Sequence, residues 1–514
     1  MTRHHILVVG AGPAGLAAAR SALAAGAEVV LVDSAEQMGG QYHRMPPAAF
    51  GAAHPERLQH HWTSFTRLRR ELRAHPRCTW WPETAVWALE PRDPGEQGPP
   101  RVHLLHGPAD GSGRTRHVLA PDALVLAPGA HDRVLPFPGW ELPGVFTAGA
   151  AQALAKGERI AVGERVLVAG SGPFLLPVAA SLLEAGAGVR AVLEANPART
   201  LARGWGSRPW QLAAHLGKTG ELRDYAGRLL RHRVPYRTGR AVVEARGTGR
   251  VEEVVTARLR PDWSVVPGSS RTLAVDALCV SHGFSPQLEL PVAAGCALLP
   301  SPAGEFVRVD GEQRTSAEGV WAAGEITGIA GAPAARAEGA LAGWYAAGGE
   351  RTARGLPRLH QVRDQGRDFA ARLARAHPIG AAWPGWLRPD TLVCRCEETD
   401  YAALCAAARE ESGAAARTAR LATRAGLGPC QARICGPTVG ELRTRLRGED
   451  PDARSAEGLA APSSHRRPLA QPLRLGELAR APAPPPPPAD RADGEPGPVP
   501  PQDLGPELPD DPAP

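Results

Sequence analysis

The sequence predicts an α/β chain with two Rossmann-like dinucleotide-binding domains, a small α-rich C-terminal domain and a disordered tail. Three observations predict it. A strand–glycine turn–helix–strand pattern occurs twice, at residues 5–33 and 164–194. Four cysteines fall in two close pairs after residue 390. Proline, alanine and charge dominate from residue 448 onward.

In the first unit "HILVVG" reads as a buried parallel strand, "PAGLAAARSALAAG" as a helix and "AEVVLVD" as the second strand. The turn "GAGPAG" holds Gly10, Gly12, Pro13, Ala14 and Gly15. Gly10 permits the tight turn, Gly12 lets the backbone approach a pyrophosphate, and Gly15 lets helix pack on strand. The helix N-terminus offers N–H groups and a positive dipole end to the phosphates. Asp33 ends the second strand 18 residues after Gly15, placed to accept hydrogen bonds from ribose hydroxyls.

The second unit runs "ERVLVAG", "GPFLLPVAASLLEAG" and "VRAVLE". It keeps Gly170 and Gly172 but has Leu175 where the third glycine belongs. Leucine there should push helix and strand apart. Glu194, 24 residues after Gly170, favours a free ribose 2′-OH, hence NAD over NADP. Three occupants stay open: NAD, another adenine nucleotide, or none.

These patterns divide the chain into a first dinucleotide domain (1–157 with 276–350), a second of NAD type (158–275), a linker (351–389) with an Arg-rich helix at 356–377, a cysteine-bearing domain (390–447) and a Pro-rich tail (448–514). Residues 85–122 and 241–275 read as β-rich insertions. The five-proline run in the tail favours polyproline II, and the tail lacks the apolar surface to fold.

A length of 514 residues suits two to four domains. The net charge of +6 does not indicate a nucleic-acid partner, because only Lys156 and Lys218 are lysines and the arginines are scattered among acids. No leader-like segment precedes the first strand, and no apolar run reaches transmembrane length. A cytoplasmic, reducing setting is expected, where clustered cysteines serve metals or catalysis.

The cysteines read C-x-C (Cys394, Cys396), 33 residues, then C-x₄-C (Cys430, Cys435). Four thiolates in two close pairs suit zinc or an iron–sulfur centre. Cys405, in a helical pattern at 402–411, and Cys78, Cys279 and Cys296 read as packed thiols. A second helical pattern spans 416–425. Arg420 and Arg424 stand before the second pair, as solvated side chains or as partners for thiolate charge.

Gly10, Gly12, Gly15, Asp33, Gly39, Gly40 and Gln41 together resemble the FAD site of disulfide-reductase-like flavoproteins. "LVLAPG" (124–129) is similar to that family's strand ending in an Ala-Thr-Gly turn at Gly129, with Pro128 replacing threonine. "GVWAAGE" (319–325) resembles the Gly-Asp segment that bonds the FAD ribityl chain, with Gly324 and with Glu325 replacing aspartate. No C-x₄-C follows "GGQ", so electrons must leave the flavin by another route than a disulfide.

The two cysteine pairs with "TRAGLGPCQARICGP" resemble a bacterioferritin-associated-ferredoxin-like [2Fe–2S] domain; zinc has no redox chemistry to couple to a flavin. Over about residues 5–475 the chain resembles the FAD/[2Fe–2S] subunits of heteromeric amine dehydrogenases, the group of opine oxidases, hydrogen cyanide synthase and proline or hydroxyproline dehydrogenases. "AHDRVLPFPGWELPGVFTAGAAQALAK" (130–156) and "CRCEE" carry this most specifically. Departures are Pro128, Leu427 for Met and Ala432 for Gly. The resemblance implies an electron-transferring subunit whose partner, a glycine-, sarcosine- or D-amino-acid-oxidase-like flavoprotein, oxidises a small amine. A further partner it implies is a small third [2Fe–2S] subunit. His131, Asp132 and Arg133 are explained by a turn, and no catalytic acid or base is read from the sequence. Two alternatives are a stand-alone NAD(P)H-dependent reductase and a non-redox nucleotide- and zinc-binding scaffold.

Overall fold

The computed structural model describes residues 4–47, 50–51, 54–207, 217–301, 304–410, 416–448, 465–467 and 469–484. The run Ile6–Val9 is aliphatic without alternation because it is buried on both faces as the centre of a parallel sheet. That sheet has the order Val320–Ala322, Ala123–Leu126, His5–Val9, Glu28–Val32, Cys78–Trp81. Val8 pairs with Leu31 on one side and Val125 on the other. The helices Pro13–Ala24 and Ala332–Ala346 pack on one face through Ala14, Ala18, Ala335 and Ala342.

The second parallel sheet has the order Tyr236–Thr238, Val189–Glu194, Val166–Gly170, Ala277–Ser281, Val145–Thr147. Its last two members correct the expected boundaries. The sequence pattern assigns Val145–Thr147 (before residue 157) and Ala277–Ser281 (after 276) to the first domain. Both hydrogen-bond into the second sheet. Short apolar strands look alike in sequence whichever sheet they join, so composition does not assign them. The β-rich insertions are three-stranded antiparallel sheets, Thr84–Glu90 with Arg101–His106 and Thr115–Leu119, and Arg240–Arg246 with Glu253–Arg258 and Arg271–Ala274.

The linker carries a 21-residue helix, Leu356–Ala376, and a turn, Trp383–Trp386. The cysteine region follows as a short hairpin, Leu392–Cys394 with Thr399–Asp400, and the helices Tyr401–Glu410, Ala416–Thr423 and Gly436–Leu446. It does not stand apart: Val393, Leu404, Val439 and Leu442 share one core with Leu259, Trp263, Trp383 and Trp386. Trp263 and Trp386 stack at 5.8 Å, and Trp386 Nε1 donates to the Trp263 carbonyl at 3.1 Å. Trp140 Nε1 donates to Leu392 O at 2.7 Å, tying the cysteine hairpin to the second domain.

Part of the stretch expected to be disordered is folded. Residues 470–484 lie along the first β-rich insertion, while Arg467 reaches Glu289 and Gln431; the rest of that expectation, the five-proline run after Pro484 included, lies outside the described residues. Ala470 N donates to Trp87 O and Ala483 N to Arg116 O, each at 2.7 Å. Arg114 grips Glu477 with two bonds of 2.8 and 2.9 Å. Glu477→Ala should release this strap and speed protease cleavage near residue 477 several-fold, read by limited proteolysis of the folded protein. Among the described residues no helix is long and apolar enough to cross a membrane.

Candidate functional site

The first glycine loop closes as its sequence requires. A Cβ on Gly15 would stand 1.7 Å from Gly10 O, and Gly10 itself has φ +100°. Gly12 caps the helix without a side-chain hydrogen bond, and the first turn holds no acid. The N–H groups there are therefore left for an anion. Gly39 N donates to Ala11 O at 2.8 Å, which brings the Gly39–Gly40 turn over the loop, and a Cβ on Gly40 would lie 2.8 Å from Gly12 Cα. Pro13 and Ala14 form the first turn of the helix. Asp33 accepts Ala11 N (2.6 Å) and Ala35 N (2.8 Å). Burial pushes its carboxyl up, while these two N–H donors and Arg44 pull it back. Gln41 is exposed and accepts from Arg44 at 3.2 Å.

Gly129 follows the strand Ala123–Leu126 at φ +81°. Gln287, which the sequence did not single out, fixes this turn: its side chain donates to Pro128 O (2.8 Å) and its N–H to Gly129 O (3.0 Å). Gly324 sits against the glycine-loop helix; its modest clearance is 3.0 Å from an added Cβ to Ala14 Cβ. Its N–H donates to Glu338 at 3.0 Å, and Thr327 adds a 2.6 Å bond to the same carboxylate. Glu338 was also missed; an acid inside an Ala-rich helix was the available signal. Burial raises the Glu325 carboxyl to about 7.

Lys156 is a third residue not foreseen, although it is one of two lysines in the chain. It is 7 % exposed, donates to Tyr42 O at 3.1 Å, and lies 5.9 Å from the Tyr42 ring. Burial lowers its ammonium to about 8. His43 stacks on Phe65 at 4.1 Å, and burial pushes it down to about 3; burial, with Arg133 nearby, does the same to His282. Both imidazoles are neutral in the fold but titrate near 6.5 when unfolded. As pH falls, the unfolded chain takes up protons first, so their contribution is whole above about 6.5 and lost progressively toward 3. His43→Phe, which keeps the stacking, should flatten the fall of denaturation free energy over that window by up to about 1.4 kcal/mol per pH unit, read by urea titrations at several pH values.

In the second unit the helix begins at Leu175, five residues after Gly170, whereas the first begins at Pro13, three after Gly10. Leu175 is fully buried in the domain core, so the first turn is displaced. Glu194 is fully buried as well. It accepts Gly172 N (2.9 Å), Asn196 N (2.9 Å) and Asn196 Nδ2 (3.0 Å), and its Oε2 lies 3.1 Å from His377 Nδ1.

The structure gathers the four cysteines. Cys394 contacts Cys435, Cys435 contacts Cys430, and Cys430 contacts Cys396. Hydrogen bonding with Cys394 and Cys430, and burial, push the Cys435 thiol up, so it keeps its proton, a single S–H shared between these two neighbours. That shared donor, helped by backbone N–H groups, holds Cys394 down at about 6 and Cys430 at about 4. Gly426 N points at Cys394 Sγ at 3.5 Å. Gly428 approaches so closely that a Cβ would be 2.3 Å from Cys396 Cβ. Among the described residues no group of three or more His, Cys, Asp or Glu is arranged to hold a metal ion. Four thiols in one contiguous chain match in number the four thiolates that a [2Fe–2S] unit, or a tetrahedral ion, would take. Arg424 pairs with Glu397 at 2.6 Å. Arg433 reaches Glu289 at 3.0 Å, close to His131 and Arg467. Asp132 and Arg133 have structural partners, Gly149 N at 2.9 Å and Glu441 at 3.1 Å.

Ala432 explains why glycine suits its position: φ is +62°. An alanine in left-handed geometry costs about 1–2 kcal/mol, of which glycine's greater unfolded-state freedom returns part. Ala432→Gly should therefore stabilise the cysteine region by up to about 1 kcal/mol, seen as a raised thermal midpoint.

Residues 4–339 match the family model described as pyridine nucleotide-disulphide oxidoreductase. The chain belongs to this family. This oxidoreductase is FAD-dependent, which sets aside the non-redox scaffold. It is similar to an opine oxidase subunit of Rhizobium meliloti, 31% identical over 492 residues covering 93% of this chain and 88% of that one. It is equally similar to hydrogen cyanide synthase subunit HcnB of Pseudomonas aeruginosa, 31% identical over 462 residues, 86% of this chain and 92% of that one. Among solved structures, L-proline dehydrogenase from P. horikoshii superposes with a TM-score of 0.64 at 19% identity, covering 93% of this chain and 80% of that one, and so shares the fold.

Proposed function

We propose that this chain is the electron-carrying subunit of a complex that dehydrogenates a CH–NH bond of an amino acid, imino acid or opine. Four thiols side by side, in a flavoprotein that lacks the C-x₄-C disulfide beside its flavin segment, carry this reading. The similarity to proteins named as subunits of opine oxidase and hydrogen cyanide synthase supports it.

The bound groups supply the conversion between two-electron and one-electron transfer. The chain's own residues bind and orient them. The uncapped helix at Gly12, with Gly10, Pro13, Ala14, Gly15, Gly39 and Gly40, would hold the FAD pyrophosphate, and Asp33 the adenosine ribose. Gly129, Gly324 and Glu325 would line the remaining length, with Gln41 at its edge. Gln287 and Glu338 act one step back, fixing the Gly129 and Gly324 turns. Cys394, Cys396, Cys430 and Cys435 would hold a [2Fe–2S] cluster, and the N–H groups aimed at their sulfurs would stabilise its negative charge.

Anaerobic co-expression with a glycine-oxidase-like flavoprotein partner, followed by a dye-reduction screen over amino acids, imino acids and opines, tests this. Dye reduction should require both chains and an amine. Amine oxidation by the isolated chain, or full activity of a complex carrying Cys430→Ser, would contradict it.

A further inference from the structure

The second dinucleotide fold contains a feature that the first lacks. In the first unit the acid at the end of the second strand, Asp33, accepts two backbone N–H groups and remains partly exposed. In the second unit the corresponding acid, Glu194, is at 0% exposure and has a fourth contact from outside its own domain. That contact is His377, at the end of the linker helix Leu356–Ala376.

The hydrogen bonds define the imidazole's tautomer. Trp205 Nε1 donates to His377 Nε2 at 3.3 Å, so Nε2 is an acceptor. The ring proton is then on Nδ1, 3.1 Å from Glu194 Oε2, and donates to the carboxylate. A neutral His377 thus presents to Glu194 the same single donor that a ribose hydroxyl would present. The surroundings hold it there. Ser171 Oγ donates to His377 O at 3.4 Å and receives Asn196 Nδ2 at 2.9 Å. Asn196 Oδ1 receives Trp263 Nε1 at 3.3 Å. The linker helix is locked to the helix Ala198–Trp205 by Arg372, fully buried, which donates to Trp205 O at 3.0 Å and pairs with Asp368 at 2.7 Å. The backbone beside Gly172 stays open, with nothing within 4 Å of an added Cβ. The closure is therefore at the ribose end and not at the phosphate end.

We propose that His377 is an internal ligand that occupies the ribose position of the second dinucleotide fold, so that the chain excludes pyridine and adenine nucleotides there and takes its electrons from a source other than NADH or NADPH. The proposal goes beyond the function argued above and stands whether or not the cysteines hold a cluster, because its readout is nucleotide binding and not iron.

The test uses the full-length flavin-loaded protein, titrated separately with NADH, NADPH, NAD and ATP by calorimetry, with anaerobic flavin bleaching by NADH and NADPH as a second readout. The wild type should show no saturable binding at millimolar nucleotide and no rapid bleaching. His377→Ala, and the double variant with Trp205→Ala, should gain binding by tenfold or more, with flavin content reporting that each variant is folded. Glu194→Gln added to His377→Ala should remove the gain. Wild-type binding in the micromolar range that Glu194→Gln abolishes would overturn the proposal. So would folded His377→Ala/Trp205→Ala protein that still binds nothing, because the closure would then not depend on His377.

Discussion

Cys430→Ser should remove the visible absorption and iron of the cysteine centre while leaving the flavin bound in full amount. Cys430 stands between Cys435 and Cys396 in the contact chain, so its loss interrupts the set at its middle. Serine keeps the volume but is a poor ligand for iron next to thiolate. The flavin segment lies elsewhere, on loops at Gly10–Gly15, Gly39–Gly40 and Gly324 of the first sheet, and none of these residues touches Cys430 in the contacts described. Iron and flavin assays on the same preparation read both outcomes. Loss of flavin with retention of iron would contradict the division between the two regions.

Gly12 and Gly15 should separate binding from folding. Gly12→Ala is expected to lower flavin affinity by about ten- to a hundredfold, about 1.4–2.8 kcal/mol, with the thermal stability of the flavin-free protein nearly unchanged. Gly12 has an ordinary φ of −75°, and an added Cβ meets nothing closer than Gly40 Cα at 3.9 Å. The methyl group would fit the protein but stand in the gap between the two turns, where the phosphate path runs. Gly15→Val should instead unfold or badly destabilise the domain, by about 3 kcal/mol or more, because Cβ would overlap Gly10 O at 1.7 Å. Flavin titration and thermal melts of both variants, side by side, check this. Equal losses of stability in the two would refute the distinction.

Much of the architecture was legible because its signals are local. The two glycine turns follow the strands His5–Val9 and Val166–Gly170, and Asp33 and Glu194 stand at the ends of the strands that come next. The paired cysteines converge, and the helices between them fall at Tyr401–Glu410 and Ala416–Thr423. Features that depend on distant partners were not legible. The strands Val145–Thr147 and Ala277–Ser281 joined the second sheet because of pairing with Val166–Gly170 and with each other, which an apolar run does not encode. The stretch around Glu477 looked unable to fold alone, and it does not fold alone: it is ordered by Arg114, 363 residues away in sequence. His377 carried no motif, and its role at Glu194 arises from a contact over 183 residues. Lys156 and Glu338 left weak signals, a rare residue type and an acid in an apolar helix, that only burial made meaningful.

We propose a two-iron centre on Cys394, Cys396, Cys430 and Cys435 beside the FAD of this flavoprotein. Chemical analysis of anaerobically purified full-length protein for iron, acid-labile sulfide and flavin tests it most directly. About two irons and about two sulfides are expected for about one FAD per chain. Stoichiometric zinc, or flavin with no iron or sulfide under conditions that retain such centres, would contradict it.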